Sequence, residues 1–128
     1  MNRGQDHLIL ALDVERPADG MKLLSSLGGR LKYAKIGHQL YARGGLPFIR
    51  AIQDEGFDVF LDIKLHDIPN TVLMAVEALA SLGLWALTLH CSGGRKMLEE
   101  AVKAKKKAGS SMYLLGVTVL TSFDNDSW

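Results

Sequence analysis

The chain has 128 residues, of which 48% are hydrophobic and 23% are charged, a composition typical of a globular domain and not of a disordered segment. The formal net charge of +1 indicates no general attraction to nucleic acid or to a membrane surface, and the single cysteine excludes a disulfide within the chain. Residues 1–7 are polar with no apolar signal core, and no apolar run approaches a membrane span, so we expect a cytoplasmic protein.

Short apolar runs alternate with helix-like stretches along the chain. The apolar runs predict five strands, at residues 7–13, 33–37, 58–64, 85–90 and 112–121. Prolines near the starts and glycines after the ends delimit four predicted helices, which cover residues 17–27, 46–55, 70–82 and 94–107. Strands that alternate with helices in this way are typical of a parallel sheet with crossover helices, so the expected fold class is α/β.

Polar side chains gather at the carboxyl end of every predicted strand. In chain order these residues are Asp13, Lys35, Lys64, His90 and Thr121. An open sheet binds ligands near one switch point, whereas a β/α barrel collects functional side chains from the carboxyl ends of several strands. No Gly-x-Gly-x-x-Gly motif follows the first strand. The pattern therefore favours a (β/α)8 TIM-type barrel.

The length of the chain sets a limit on that prediction. A β/α barrel needs roughly 200 residues or more, and this chain supplies about the first four and a half β/α units. We therefore expect residues 1–128 to be the N-terminal part of a single barrel domain whose C-terminal part is absent. We expect such a fragment to be inactive, or nearly so, when it is alone.

The third predicted strand carries the charged groups of greatest interest. Its positions 59, 61, 63 and 65 are apolar and suit packing against outer helices, whereas Asp62 and Lys64 share the opposite face, which is the barrel interior. Asp67 follows in the next loop, and Lys35 on the neighbouring strand can join the group. Since buried charges are costly unless they pair, these residues can offset one another. An ion pair that only stabilises the barrel remains an alternative to a catalytic site.

Residues 62–71, with the sequence DIKLHDIPNT, resemble the Asp-x-Lys-x-x-Asp-Ile-Pro-Asn-Thr signature of the orotidine 5′-phosphate decarboxylase family. The resemblance extends to LALD at 10–13, YAKIG at 33–37 and VTVLTS at 117–122. Related sugar-phosphate decarboxylases and aldolases share the Asp-x-Lys-x-x-Asp part, but the Ile-Pro-Asn-Thr extension is more specific.

The resemblance implies decarboxylation of orotidine 5′-monophosphate to UMP and CO2, the last step of pyrimidine nucleotide synthesis, without a metal or an organic cofactor. It also implies a homodimer whose active sites are shared across the interface. The catalytic residues by resemblance are Lys64, which stabilises a ring carbanion and protonates it, together with Asp62, Asp67 and Lys35.

The resemblance also assigns residues to substrate binding. Asp13 and Lys35 resemble residues that hold the ribose hydroxyls, and Thr121 resembles part of the pyrimidine site. Thr71 resembles a residue that reaches the partner subunit's ligand, and Ile68 lies between it and Asp67. The family's phosphate-binding residues come from the last strands of the barrel, beyond the part that this sequence resembles.

Two other functions remain open from the sequence. A sister enzyme acting on a sugar phosphate would use the Asp-x-Lys-x-x-Asp residues to bind magnesium and an enediolate. A half-barrel that serves as an assembly unit, with no catalysis, is the third possibility.

Overall fold

The structure is a computed structural model that describes residues 4–127. The first three residues of the polar N-terminal segment, and the last residue of the predicted domain, lie outside this range. No helix within it is long and apolar enough to cross a lipid bilayer.

Strands and helices alternate along the described chain, as the hydrophobic pattern predicts. The strands are β1 (Ile9–Ala11), β2 (Tyr33–Ile36), β3 (Asp58–Leu65), β4 (Ala86–His90) and β5 (Tyr113–Val117). The helices are α1 (Pro17–Ser26), α2 (His38–Asp54), α3 (Pro69–Ala80) and α4 (Arg95–Lys107). Proline opens both α1 and α3, since its missing N–H would have no partner in a first helical turn.

The chain divides into two units, and β3 and β4 contribute residues to both. The first unit contains the residues up to Ile63 together with Leu84–Ala86, and the second contains Lys64–Gly83 and the residues from Leu87 onward. In the first unit β1, β2 and β3 are parallel neighbours. In the second unit β4 and β5 are neighbours. The parallel pairing confirms the predicted α/β class.

The core of the first unit follows the two-residue period of its strands. Ile36 on β2 and Val59 and Leu61 on β3 are completely buried. The residues that alternate with them along each strand are half-buried. A Cβ atom at Gly20 of α1 would lie only 3.2 Å from Phe48 Cζ of α2, so a glycine there permits close packing of the two helices. Strand alternation thus separates an apolar face from the face that carries Asp62.

The second unit is built around the packing of α3 on α4. Val76 of α3 and Met97 and Ala101 of α4 are completely buried. At the exposed edge of this contact the Lys107 ammonium donates a hydrogen bond to Glu77 Oε1 at 2.7 Å, which raises the pKa of Lys107. The pair joins the two helices at the surface, where an ion pair contributes little to stability.

The range of α2 contains one helical stretch more than predicted. Gly45, with φ of 56° and ψ of −152°, has a non-helical conformation that is accessible essentially to glycine alone, and it separates a helical stretch at residues 38–44 from the helix predicted to start at residue 46. The stretch before Gly45 was not predicted; Leu40 is buried within it, and Phe48 is buried in the helix that follows.

The prediction that the fifth strand reaches Thr121 is also wrong. Strand β5 ends at Val117, and Thr121 is an exposed residue in a turn. The Phe123 N–H donates to the Leu120 carbonyl at 3.1 Å and closes the turn that contains Thr121.

Candidate active site

The carboxyl ends of β1 and β2 border a small cavity in the first unit. Asp13 lies two residues beyond β1 and is exposed. It lines a cavity of about 150 Å³ with residues on either side of the start of α2, including Gly37 and His38. The structure thus places Asp13 beside a concave surface, as expected for a residue that contacts a ligand.

Lys35 and Asp62 form an ion pair on the half-buried faces of β2 and β3. The Lys35 ammonium donates a hydrogen bond to Asp62 Oδ2 at 3.1 Å. Their side chains are 25% and 13% exposed. This contact confirms the prediction that Lys35 joins Asp62, which follows from the register that pairs Lys35 with Phe60, two residues before Asp62.

A second ion pair lies at the opposite end of these strands, between Lys32, which directly precedes β2, and Asp58, the first residue of β3. Lys32 Nζ lies 3.9 Å from Asp58 Oδ2, and these side chains are 47% and 48% exposed. The pair at the carboxyl end is therefore shorter and better shielded from water. A charge pair in such a position interacts more strongly than a surface pair and costs more to desolvate.

Lys64 follows Asp62 by two residues on β3 and lies in the second unit. It is half-buried, and its backbone φ is 47°. Among residues 4–127 it is the only residue other than glycine with a positive φ. A left-handed conformation costs a residue with a Cβ atom about 1–2 kcal/mol. No feature of the sequence indicates this conformation, because lysine is not among the residues that favour the left-handed region. Strained backbone of this kind is concentrated at functional sites.

The backbone of Lys64 is hydrogen-bonded to the side chain of Thr88, which is not among the residues predicted for the site. The Lys64 N–H donates a hydrogen bond to Thr88 Oγ1 on β4 at 2.9 Å, and Thr88 is only 5% exposed. The available signal was a single hydroxyl within the apolar sequence ALTL of β4. A buried hydroxyl is expected to have a hydrogen-bond partner, and Lys64 provides one.

The loop after β3 and the first turn of α3 carry the remaining predicted residues. Asp67, Ile68 and Thr71 are all exposed, and Ile68 is 67% exposed. The Ile68 N–H donates to Asp67 Oδ1 at 2.7 Å, which holds the Asp67 carboxylate against the loop backbone. All three side chains are accessible from solvent.

Two histidines lie at the carboxyl ends of β3 and β4, where His66 follows β3 and His90 is the last residue of β4. The rings of His66 and His90 lie 5.2 Å apart between centroids. His66 is exposed and His90 is half-buried. Within residues 4–127 no three His, Cys, Asp or Glu side chains are grouped as ligands for a metal ion.

The comparisons with known proteins bear on this geometry. The family model described as "Orotidine 5′-phosphate decarboxylase / HUMPS family" matches residues 6–128. The chain belongs to this family. The sequence resemblance is thereby confirmed, and the two ion-paired strands and Lys64 all lie within the matched region.

Individual relatives agree with the family assignment. A protein of Opitutus terrae named orotidine 5′-phosphate decarboxylase is 50% identical over 115 residues, which are 90% of this chain and 50% of the relative. A Buchnera aphidicola protein of the same name is 42% identical over 120 residues, which are 94% of this chain and 51% of the relative. The chain therefore spans about half the length of these curated relatives.

A solved structure confirms the fold class. The crystal structure of orotidine 5′-phosphate decarboxylase from Lactobacillus acidophilus superposes with a TM-score of 0.81 at 38% identity, covering 93% of this chain and 55% of that one. The fold is that of a partial (β/α) barrel of the TIM type, as predicted. The choice of a barrel over an open sheet was therefore correct.

Proposed function

We propose that the protein containing this chain is a carboxy-lyase that converts orotidine 5′-monophosphate to UMP and CO2, the last step of pyrimidine nucleotide synthesis. The observation that carries the proposal is the shielded Lys35–Asp62 pair, at 3.1 Å, followed two residues later by the strained Lys64. Membership of the family supports it.

The proposed reaction depends on electrostatic stabilisation of the charge that develops on the pyrimidine ring, and not on covalent catalysis by the protein. Loss of CO2 leaves a carbanion on the pyrimidine ring, and an ammonium group beside it lowers the energy of the transition state and then supplies the replacing proton. In the proposal Lys64 has this role. Asp62 lies beside the departing carboxylate, and Lys35 holds Asp62 in position. No metal or organic cofactor takes part in the proposed reaction.

The rest of the substrate extends over neighbouring elements in the proposal. Asp13 and Lys35 hold the ribose hydroxyls, and the cavity that Asp13 lines supports this assignment. Ile68 and Thr121 contribute to substrate binding, with Thr121 at the pyrimidine. The phosphate-binding residues belong to the half of the family's barrel that this chain does not match, since its relatives are about twice its length.

A chimera provides the direct test of the activity. It joins residues 1–128 to the half of the Opitutus terrae relative that the alignment leaves unmatched. We expect the chimera to form UMP from orotidine 5′-monophosphate with or without a chelator, and the 128-residue chain alone to show little or no turnover, because remote phosphate contacts help to stabilise the transition state. A folded chimera that forms no UMP would contradict the proposal.

The same chimera distinguishes the other two functions. The Asp-x-Lys-x-x-Asp residues occur here as Asp62, Lys64 and Asp67, so a magnesium-dependent reaction on a keto-sugar phosphate would indicate the sister activity. An assembly unit without catalysis would show neither activity. It would also show no rise in melting temperature at saturating UMP, because a ligand that binds only the folded state must stabilise that state.

We further propose a cytoplasmic homodimer in which Asp67 and Thr71 of each subunit reach the ligand of the other. The exposure of both residues supports this arrangement. Ile68, which directly precedes α3, and Met74 on α3 are 67% and 54% exposed, so exposed apolar side chains lie on both sides of Thr71 in the sequence. Exposed apolar surface of this kind is typical of interaction sites.

The substitution Met74→Asp in the chimera tests the dimer. A carboxylate in the apolar surface of α3 would have to be desolvated on association, so we expect the dimer dissociation constant to rise by at least about tenfold. Activity should fall at low protein concentration and recover at high concentration. Sedimentation measures the association, and Val102→Asp, at a 42% exposed position on α4, is the matched control. Equal effects of the two substitutions would contradict the proposed interface.

A further inference from the structure

Strand β4 contains a buried hydroxyl, that of Thr88, which is only 5% exposed. Its sequence neighbours Leu87 and Leu89 lie on the opposite face of the strand and are 0% and 3% exposed, so β4 is buried on both faces. A buried hydroxyl destabilises the fold unless it forms a hydrogen bond, and a valine of nearly the same shape would avoid that cost. The presence of Thr88 therefore calls for a role of the hydroxyl itself.

The Thr88 hydroxyl accepts a hydrogen bond from the strained backbone of Lys64. The Lys64 N–H donates to Thr88 Oγ1 at 2.9 Å, at the residue where φ is 47°. A left-handed conformation persists only where the surroundings impose it, and lysine has no short polar side chain of its own to assist. Thr88 suits this purpose because its β-branched side chain has restricted χ1 freedom and lies in a packed strand.

We propose that Thr88 is a positioning residue for Lys64. Its hydroxyl fixes the left-handed backbone of Lys64 and so sets the direction in which the lysine side chain leaves β3. This inference rests on the proposed function, in which the Lys64 ammonium stabilises the carbanion and delivers the proton. A group that must meet a reacting atom loses much of its effect when it is displaced by about 1 Å.

The kinetic test compares two substitutions in the chimera. Thr88→Val keeps the size and branching of the side chain but removes the acceptor, and we expect kcat to fall by about tenfold or more with KM changed by less than about threefold. Thr88→Ser keeps the hydroxyl and should remain within about threefold of the parent in kcat. The separation of kcat from KM, and the rescue by serine, are not expected of a residue that acts only through packing.

A second measurement on the same chimeras does not depend on turnover. Thr88→Val should speed hydrogen exchange of the Lys64 amide by about tenfold relative to the Leu61 amide, and Thr88→Ser should not. Leu61 is completely buried on the same strand and reports whether the variant is folded.

The outcomes separate this inference from the proposed function. A Thr88→Val chimera with the parent's kcat and the parent's Lys64 exchange would overturn the positioning role while leaving the decarboxylase intact. Equal losses in the valine and serine variants would also overturn it, since packing would then be responsible. If the parent chimera forms no UMP, the proposed function fails, and the exchange measurement still decides whether Thr88 holds Lys64.

Discussion

Replacement of Lys64 by alanine in the chimera is expected to lower kcat for UMP formation by at least about 10³-fold. The substitution removes both the positive charge beside the carbanion and the proton donor, and each of these effects is typically worth about 10²-fold or more. The fold should survive, because the Lys64 side chain is only half-buried. Turnover is measured as UMP formed at saturating substrate, and urea unfolding confirms the folded state.

Two further variants make the Lys64 test specific. Lys64→Arg keeps a positive charge but cannot donate its proton readily, since the arginine pKa lies above about 12, so we expect activity to remain severely reduced. Lys32→Ala removes a lysine near the opposite end of the same strands and should leave kcat almost unchanged. If Lys64→Ala stays within about tenfold of the parent, a loss of only ~1.4 kcal/mol, Lys64 is not the proton donor.

Replacement of Asp62 by asparagine is expected to lower kcat by about 10²-fold or more. The change is nearly isosteric, yet it removes the negative charge that accepts the hydrogen bond from Lys35 at 3.1 Å. Lys35 would then lose its charged partner in a site where the carboxylate is only 13% exposed. Preorganised charges in such shielded sites usually contribute more to catalysis than single surface charges do.

The chain offers a matched control for Asp62 on the same strand. Asp58 also pairs with a lysine of the neighbouring segment, but at 3.9 Å and with 48% of its side chain exposed. Asp58→Asn should change the free energy of unfolding by less than about 0.5 kcal/mol and leave kcat unchanged. Equal kcat values for the two asparagine variants would indicate that the Lys35–Asp62 pair only stabilises the barrel.

Hydrophobic periodicity predicted most of the fold because each strand and helix buries a regular set of apolar side chains. All five strands and four helices exist, and the alternation on β3 correctly separates Val59 and Leu61 from Asp62. The errors arose where backbone conformation decided the outcome. An unpredicted helical stretch precedes the predicted helix within α2, separated from it by the non-helical Gly45, and β5 ends at Val117, before Thr121.

The candidate site was predictable as far as it depends on residue type and register. Lys35 and Asp62 were predicted to meet because neighbouring parallel strands bring their carboxyl ends together, and they do meet. The positive φ of Lys64 and its bond to Thr88 were not predictable, because no pattern of polar and apolar residues encodes a single strained backbone angle. The roles proposed for Asp67 and Thr71, which would involve a second subunit, remain predictions.

A crystal structure of the chimera with UMP bound tests the roles of Lys64 and Asp62 most directly. We expect the Lys64 ammonium and the Asp62 carboxylate to lie within about 4 Å of the ring carbon that bears the carboxylate in the substrate, close enough for direct electrostatic interaction. We also expect Lys35 to remain bonded to Asp62. A pyrimidine ring bound away from the carboxyl end of β3, with Asp62 and Lys64 contacting only protein, would show that these residues do not act on the substrate.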